Sequence, residues 1–407
     1  MELHFQQQLT AISPIDGRYY DKVNSLSEYF SEFALIRYRL LVEVEYLLAL
    51  SDAKIIAPFS AEEQTKLRQL YQDFQIQDAK EIKANEAITN HDVKALENFL
   101  KTKIKILLGE DPRIEFVHFG LTSQDINNTA IPLSLKYAMQ EVYFPLLEKL
   151  ITTLEQLAGQ WRSVPMLAYT HGQPASPTVV GKEIYVFVER IRKQQIALQE
   201  LPFPAKFGGA TGNLNAHYAA FPNIHWTEFA NRFVEKNLGL TRSQTTTQIE
   251  HYDGLASIFD NLRRINVILI DLCRDFWMYI SKAYFRQKLN PDEIGSSAMP
   301  HKVNPIDFEN AEGNLAYSNA IFDFFSNKLP VSRLQRDLTD STVLRNLGVP
   351  LAHTLVSFQS ILKGLNKVEL NEHILRQDLE NHWVVIAEGI QTILRREGYP
   401  QPYEALK

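Results

Sequence analysis

The sequence predicts an all-α protein built on long helices packed side by side. Three observations carry that prediction. Apolar residues recur at helical spacing over long segments, most clearly from Leu255 through Ile258, Phe259, Leu262, Ile265, Leu272 and Phe276 to Ile280. Glycine is scarce, at 17 of 407 residues, which suits long helices with few turns. No stretch reads as strand-rich. The clearest periodic segments each imply roughly 25 to 30 residues of helix, or about 40 Å. Helices of that length pack as a bundle, each showing a wide apolar stripe to its neighbours.

Taken in order, the chain begins with an irregular segment through Tyr20. Ser25 and Glu28 read as a capping box. A long helix is expected to follow, with Phe33, Ile36, Leu40, Val44 and Leu47 on one face. Pro58-Phe59-Ser60 breaks the pattern before another helix. Thr89-Asn90-His91-Asp92 reads as a helix start leading into Val93, Leu96, Phe99 and Leu100, and Pro112 closes a first helical domain, residues 1–112. Two further helical patterns run from Leu147 to Trp161 and from Ile184 to Ile191. Val267, Leu269 and Ile270 flank Ile268, so that helix is apolar on more than one face. This points to burial on both sides and to a bundle completed by other subunits. Later helices are expected at Phe308–Phe325 and Val349–Leu365. A last helix spans His373–Arg396 and is closed by Gly398.

Composition narrows the function. Hydrophobic residues make up 45% and charged residues 22%, as in soluble globular proteins. There are 42 basic and 48 acidic side chains, a net charge of -6, which argues against a nucleic-acid surface. The one cysteine, Cys273, lies in an apolar helical run and reads as a buried, inert thiol. The start, Met1-Glu2-Leu3-His4, lacks the pattern of a signal peptide, and no apolar run of about 18 residues is present. A cytoplasmic location, away from membranes, is expected. Gly208-Gly209-Ala210-Thr211-Gly212 fits neither nucleotide-binding fingerprint. The histidines lack zinc-ligand spacing. No metal and no organic cofactor are expected.

Polar clusters interrupt the helices at Arg18-Tyr19, His91-Asp92, Thr122-Ser123-Gln124-Asp125, Thr170-His171-Gly172-Gln173-Pro174, Thr247-Gln248 and the series Arg336, Ser341, Arg345. Hydroxyls at a helix start cap it, and the free N–H groups beside them suit a carboxylate. If helical, Ser341 and Arg345 share a face, and with Arg336 they make either a phosphate grip or an ion-paired surface. The densest break is Gly295-Ser296-Ser297-Ala298-Met299-Pro300-His301-Lys302-Val303-Asn304-Pro305. Glycine and paired serines allow movement there, and loops on rigid scaffolds often carry function.

That break, residues 295–305, closely resembles the signature loop of the aspartase/fumarase superfamily, Gly-Ser-Ser-x-Met-Pro-x-Lys-x-Asn-Pro. Thr170-His171-Gly172-Gln173-Pro174, Thr122-Ser123 and Asn213 match the same superfamily. His301, Arg18-Tyr19, Thr89-Asn90-His91-Asp92, Thr247-Gln248 and the Arg336/Ser341/Arg345 series resemble its adenylosuccinate lyase family, in the bacterial form. The likeness spans nearly the whole chain. It implies a three-domain fold, here 1–112, 113–365 and a C-terminal helical domain 366–407. Family members continue with more helix, so that last domain reads as shortened.

The resemblance also implies a homotetramer whose central helices form one large bundle, with each active site shared among three subunits. The implied reaction is β-elimination of fumarate from adenylosuccinate, giving AMP, and from the succinyl-carboxamide ribotide SAICAR, giving AICAR. Ser296 would be the general base and His171 the general acid. Lys302 and Asn304 would hold the carboxylate where negative charge builds up. Thr122 and Ser123 would bind the succinyl part; Arg18, Tyr19, Arg336, Ser341 and Arg345 would bind the ribose phosphate. His91, Asp92, Thr170 and Gln248 complete the implied substrate-binding set. His251 is given no role, because bacterial relatives usually carry Pro-His where this chain has His251-Tyr252. Two alternatives stay open: another fumarate-releasing lyase of the superfamily, acting on argininosuccinate, aspartate or malate, and a catalytically silent scaffold.

Overall fold

A computed structural model describes residues 2–288, 299 and 301–407, of which 2–5 are described by their backbone alone. Helix accounts for 69% of it. The chain forms two compact units, one of residues 1–145, 198–263 and 318–355, the other of residues 146–197, 264–317 and 356–407.

The first unit is organised around the helix Glu32–Asp52. Its residues Leu40, Val44, Tyr46, Leu47 and Leu50 are all buried, and so are Arg39, Glu43 and Glu45. A helix buried all round needs partners on every side. The helices Ala61–Gln72, Asp92–Leu108 and Ser123–Ala138 supply them. Tyr46 meets Phe207, Phe229 and Phe233 edge-on, with centroids 5.3 to 6.1 Å apart, in the arrangement aromatic quadrupoles favour.

Local sequence sets the helix starts. Ser60 and Glu63 form a reciprocal capping box. Asn90 ends the helix Ile76–Thr89 in the left-handed region, at φ 49°, which asparagine tolerates. The expected capping box at Ser25 and Glu28 does not form. Asn24–Leu26 is a short 3-10 turn, and Ser31 caps the long helix instead, accepting from the Ala34 N–H at 3.1 Å. Ser31 is extended at ψ 162°, as a cap must be, whereas Ser25 sits inside a turn.

The helix Ser123–Ala138 runs on through a π-turn, Met139–Tyr143, into Phe144–Gln160. Pro145 explains the wide turn. Its ring would clash with the carbonyl of Glu141 in a regular α-helix, and one wider turn relieves that contact.

The second unit holds the helix Val180–Glu200, most of Asp253–Ser281 and parts of Ile306–Lys328 and Gly348–Lys367. Of the patterns read as 25 to 30 residues, Asp253–Ser281 reaches 29 and Val180–Glu200 only 21. Gly364 lets its helix close on Phe308, since a Cβ there would lie 2.9 Å from the ring. Phe308 stacks in turn on Phe276 at 5.3 Å.

Two departures from an all-helical reading lie in this unit. Pro165–Thr170 and Gln173–Val179 pair as an antiparallel hairpin, and Phe285–Gln287 pairs with Val368–Leu370. The last expected helix, His373–Arg396, is broken. Glu372–Glu380 ends, a 3-10 turn Trp383–Ile386 follows, and Ala387–Arg396 completes the segment. His382 turns its ring back within 2.7 Å of the Asp378 carbonyl at the break. Gly398, at φ +73°, closes the segment as expected. Among the described residues no helix is long and apolar enough to cross a membrane. Cys273 is buried, and that burial pushes its thiol well above the usual range.

Candidate active site

In the first unit, helix starts and one buried arginine build a basic recess. Arg39 lies in mid-helix and is 4% exposed. Its Nε donates to the Asn127 Oδ1 and one terminal nitrogen to the Asp92 Oδ2, each at 2.8 Å. Asp92 opens the helix Asp92–Leu108 and also accepts from the Val93 N–H at 2.9 Å. Its burial works to raise the carboxyl pKa, but Arg39, this N–H and Arg345 together hold it below the usual range. Arg345 reaches the same Asp92 oxygen at 3.2 Å and donates to Glu32 at 2.7 Å. Asp92 thus ties two guanidiniums to one carboxylate.

Ser341 lies on the short helix Thr339–Leu344 and faces this recess. Arg336 donates to its Oγ at 2.7 Å. Gln124, with its amide oxygen turned toward Arg336, accepts from both terminal nitrogens at 2.5 and 3.2 Å. The helix carrying Ser341 is pinned from behind: the buried Tyr252 donates to Asp340 at 2.9 Å and accepts from Asn128 at 2.7 Å. The resulting recess is lined by Ser31, Glu32, Arg39, Asn127, Ser341 and Arg345 among others. Of the residues that the sequence singled out, Asp92, Arg336, Ser341 and Arg345 come together here. Arg18 is exposed, and neither it nor Tyr19 lines this cavity or the adjoining one, where Asp16 and Tyr20 do.

Thr122 and Ser123 begin the helix Ser123–Ala138, where the backbone N–H of Thr122 is held by Asp125 at 2.8 Å. His91 caps its own helix through Nδ1, which accepts from the Lys94 N–H at 3.0 Å. That leaves Nε2 facing Ser123, with the Oγ 3.5 Å away. Gln248 donates to the Ala210 carbonyl at 3.0 Å and so steadies the glycine-rich turn. Asp125 is fully buried and accepts from the N–H groups of Gly208 and Gly209 at 2.7 and 3.0 Å. Lys206, also fully buried, pairs with it at 2.8 Å. Burial pulls the Lys206 pKa down, against the pull of Asp125. This pair locks the start of one helix to the turn beside it.

The second unit carries the other candidates. Thr170 and Gln173 pair across the hairpin, leaving His171 and Gly172 as its two-residue loop. Their φ values, 54° and 72°, are those of the turn whose twist matches a hairpin. The loop places the imidazole of His171 at an exposed tip on a rigid ribbon. A non-glycine residue at positive φ costs energy that the fold must hold, a common sign of a functional position. Lys302 is exposed, and its N–H donates to the Met299 carbonyl at 3.0 Å. Asn304 is half-buried just before the helix Ile306–Lys328. Ser296 lies outside the described residues.

Sequence reading missed Arg39, Asn127, Lys206 and the Tyr252–Asp340 pair. One signal was available: charged residues within an otherwise apolar helix, as Arg39 is, are rarely buried without a purpose. Among the described residues no cluster of potential ligands suits a metal ion.

Residues 17–317 match the family model described as lyase, and residues 332–407 match the one described as adenylosuccinate lyase C-terminal. The chain is 57% identical to an adenylosuccinate lyase of Dictyostelium discoideum over 98% of its own length and 87% of that protein. It is 48% identical to the adenylosuccinate lyase of Escherichia coli strain K12, covering 98% and 88%. The fold resembles that of a fumarate lyase from Mesorhizobium sp. BNC1, with a TM-score of 0.75 at 17% identity over 94% of this chain and 84% of that one. It also resembles a 3-carboxy-cis,cis-muconate lactonizing enzyme from Pseudomonas putida, with a TM-score of 0.74 at 20% identity over 95% and 85%. The chain belongs to the adenylosuccinate lyase family, within the aspartase/fumarase superfamily of all-α lyases.

Proposed function

We propose that this chain eliminates fumarate from adenylosuccinate to give AMP, and from SAICAR to give AICAR. The observation that carries this reading beyond family membership is the guanidinium cluster of Arg39, Arg336 and Arg345 around Ser341. It suits a substrate bearing a phosphate, which argininosuccinate, aspartate and malate lack.

In the reaction a base removes a proton from the succinyl carbon beside a carboxylate. The electron pair left on that carbon is drawn into the carboxylate and then expels the nitrogen that bears the succinyl group, the 6-amino nitrogen of adenylosuccinate or the carboxamide nitrogen of SAICAR, which takes up a proton. Ser296 is assigned as the base and His171 as the acid. A serine hydroxyl is far too weak an acid to ionise unaided near neutrality. Lys302 and Asn304 supply the compensation by holding the carboxylate as it gains charge, so their effect is greatest in the transition state. Imidazole suits the acid because its pKa lies near the working pH. Thr122 and Ser123, at the N-terminus of the helix Ser123–Ala138, are assigned to the other succinyl carboxylate. His91, Thr170 and Gln248 border the succinyl and base portions, and Arg18 and Tyr19 are assigned to the phosphate.

Active sites shared within a homotetramer, as the family resemblance implies, are part of the proposal. Its support is apolar surface on the second unit's helices. Tyr185, Ile196, Val267 and Met278 are each about half exposed, and such faces mark interaction sites. Mixing Ser296→Ala with His171→Ala subunits restores partial activity under this reading; an inert mixture contradicts it. The enzyme is placed in the cytoplasm with its nucleotide substrates.

The phosphate assignment is tested by Arg336→Ala. A charge-assisted hydrogen bond is worth about 1.5–3 kcal/mol, so KM for adenylosuccinate rises about tenfold or more while kcat changes little. An unchanged KM removes Arg336 from the phosphate site.

A further inference from the structure

We infer that Glu32 is an exchangeable counter-ion for Arg345, a carboxylate that holds the guanidinium in place until the substrate's phosphate takes over. The inference rests on the assignment of Arg345 to the phosphate.

Arg345 has two carboxylate partners of different kinds. Asp92 is 27% exposed and tied to the buried Arg39 and to the Val93 N–H. Glu32 and Arg345 are 41% and 42% exposed, and both line the same cavity. Asp92 is therefore a fixed strut, whereas the Glu32 contact is open to exchange. The Glu32 backbone is fixed as the first residue of its helix, behind the Ser31 cap, so only the side chain has to move. Its other oxygen already has an alternative partner in Lys83, at 3.3 Å, ready to receive the displaced carboxylate.

The magnitudes favour exchange. An exposed ion pair contributes little net stability. A phosphate dianion presents more charge and more acceptor oxygens than one carboxylate, and it binds guanidinium with two parallel hydrogen bonds. Phosphate thus displaces Glu32, while a lone carboxylate or chloride gains nothing by doing so. Glu32 in this way raises selectivity for phosphate-bearing ligands and eases release of the nucleotide product.

The test uses Glu32→Gln in the purified enzyme, with inorganic phosphate as competitive inhibitor. Glu28→Gln is the control. Glu28 carries the same charge in the neighbouring segment but pairs with Arg37, at 3.3 Å. Glu32→Gln lowers both KM for adenylosuccinate and the phosphate inhibition constant by about two- to fivefold, as expected for loss of one exposed pair. Glu28→Gln changes neither. Constants in Glu32→Gln that stay the same or rise overturn the inference. An equal fall in both variants also overturns it, since it reflects the general field alone. Arg345→Gln separates this from the underlying assignment. It weakens phosphate inhibition if Arg345 binds phosphate; if it does not, the assignment fails and the role of Glu32 falls with it.

Discussion

Replacing His171 with asparagine is expected to lower kcat by about 10²–10⁴-fold, the usual contribution of a positioned general acid. Asparagine is the informative substitution because His171 sits at φ 54° in a hairpin loop before Gly172. Asn-Gly is the preferred pair for that turn, so the backbone keeps its shape while the proton donor is lost. Alanine at the same place adds left-handed strain and mixes a backbone effect into the kinetics. The thermal midpoint of His171→Asn stays at or slightly above that of the parent, and KM changes little. A variant that turns over at near-normal rate shows that the leaving nitrogen takes its proton from another group.

The second large effect is on stability. Asp125→Ala is expected to destabilise the first unit by about 3–5 kcal/mol, because it strands a buried ammonium. Asp125 and Lys206 are both fully buried, and the carboxylate also satisfies the Gly208 and Gly209 N–H groups. Asp125→Asn keeps an acceptor for those groups and costs less. The double variant Asp125→Asn/Lys206→Met removes both charges together and recovers much of the loss. Urea unfolding midpoints for the three variants decide the matter. A single Asp125→Ala variant as stable as the parent shows that Lys206 gives up its proton without penalty.

Much of this architecture is readable from spacing. The apolar period from Leu255 to Ile280 maps onto one helix, Asp253–Ser281. The breaks at Pro58-Phe59-Ser60 and Thr89-Asn90-His91-Asp92 do precede the helices Ala61–Gln72 and Asp92–Leu108. The hairpin Pro165–Val179 is not readable in this way, because Pro165, Pro174 and Pro177 mask any strand signal. Its one cue is the dipeptide His171-Gly172, which as sequence reads only as a polar break. The interruption near Asn381 is equally silent, since Trp383-Val384-Val385-Ile386 prolongs an apolar helical pattern that the fold breaks.

The site divides in the same way. Residues at helix starts, such as Asp92 and Thr122, stand out in the sequence. Arg39 and Asn127 lie inside helices, and their inward direction becomes visible only when the helix Glu32–Asp52 is packed against Ser123–Ala138. The ordinary appearance of Glu32 at a helix start conceals its contact with Arg345, which is 313 residues away in sequence.

The central claim is tested most directly by giving the purified chain adenylosuccinate and measuring AMP and fumarate together. The two products are expected in equal amounts, with no fumarate from argininosuccinate, aspartate or malate under the same conditions. A folded enzyme that leaves adenylosuccinate intact, or that releases fumarate from one of the substrates without a phosphate, contradicts it.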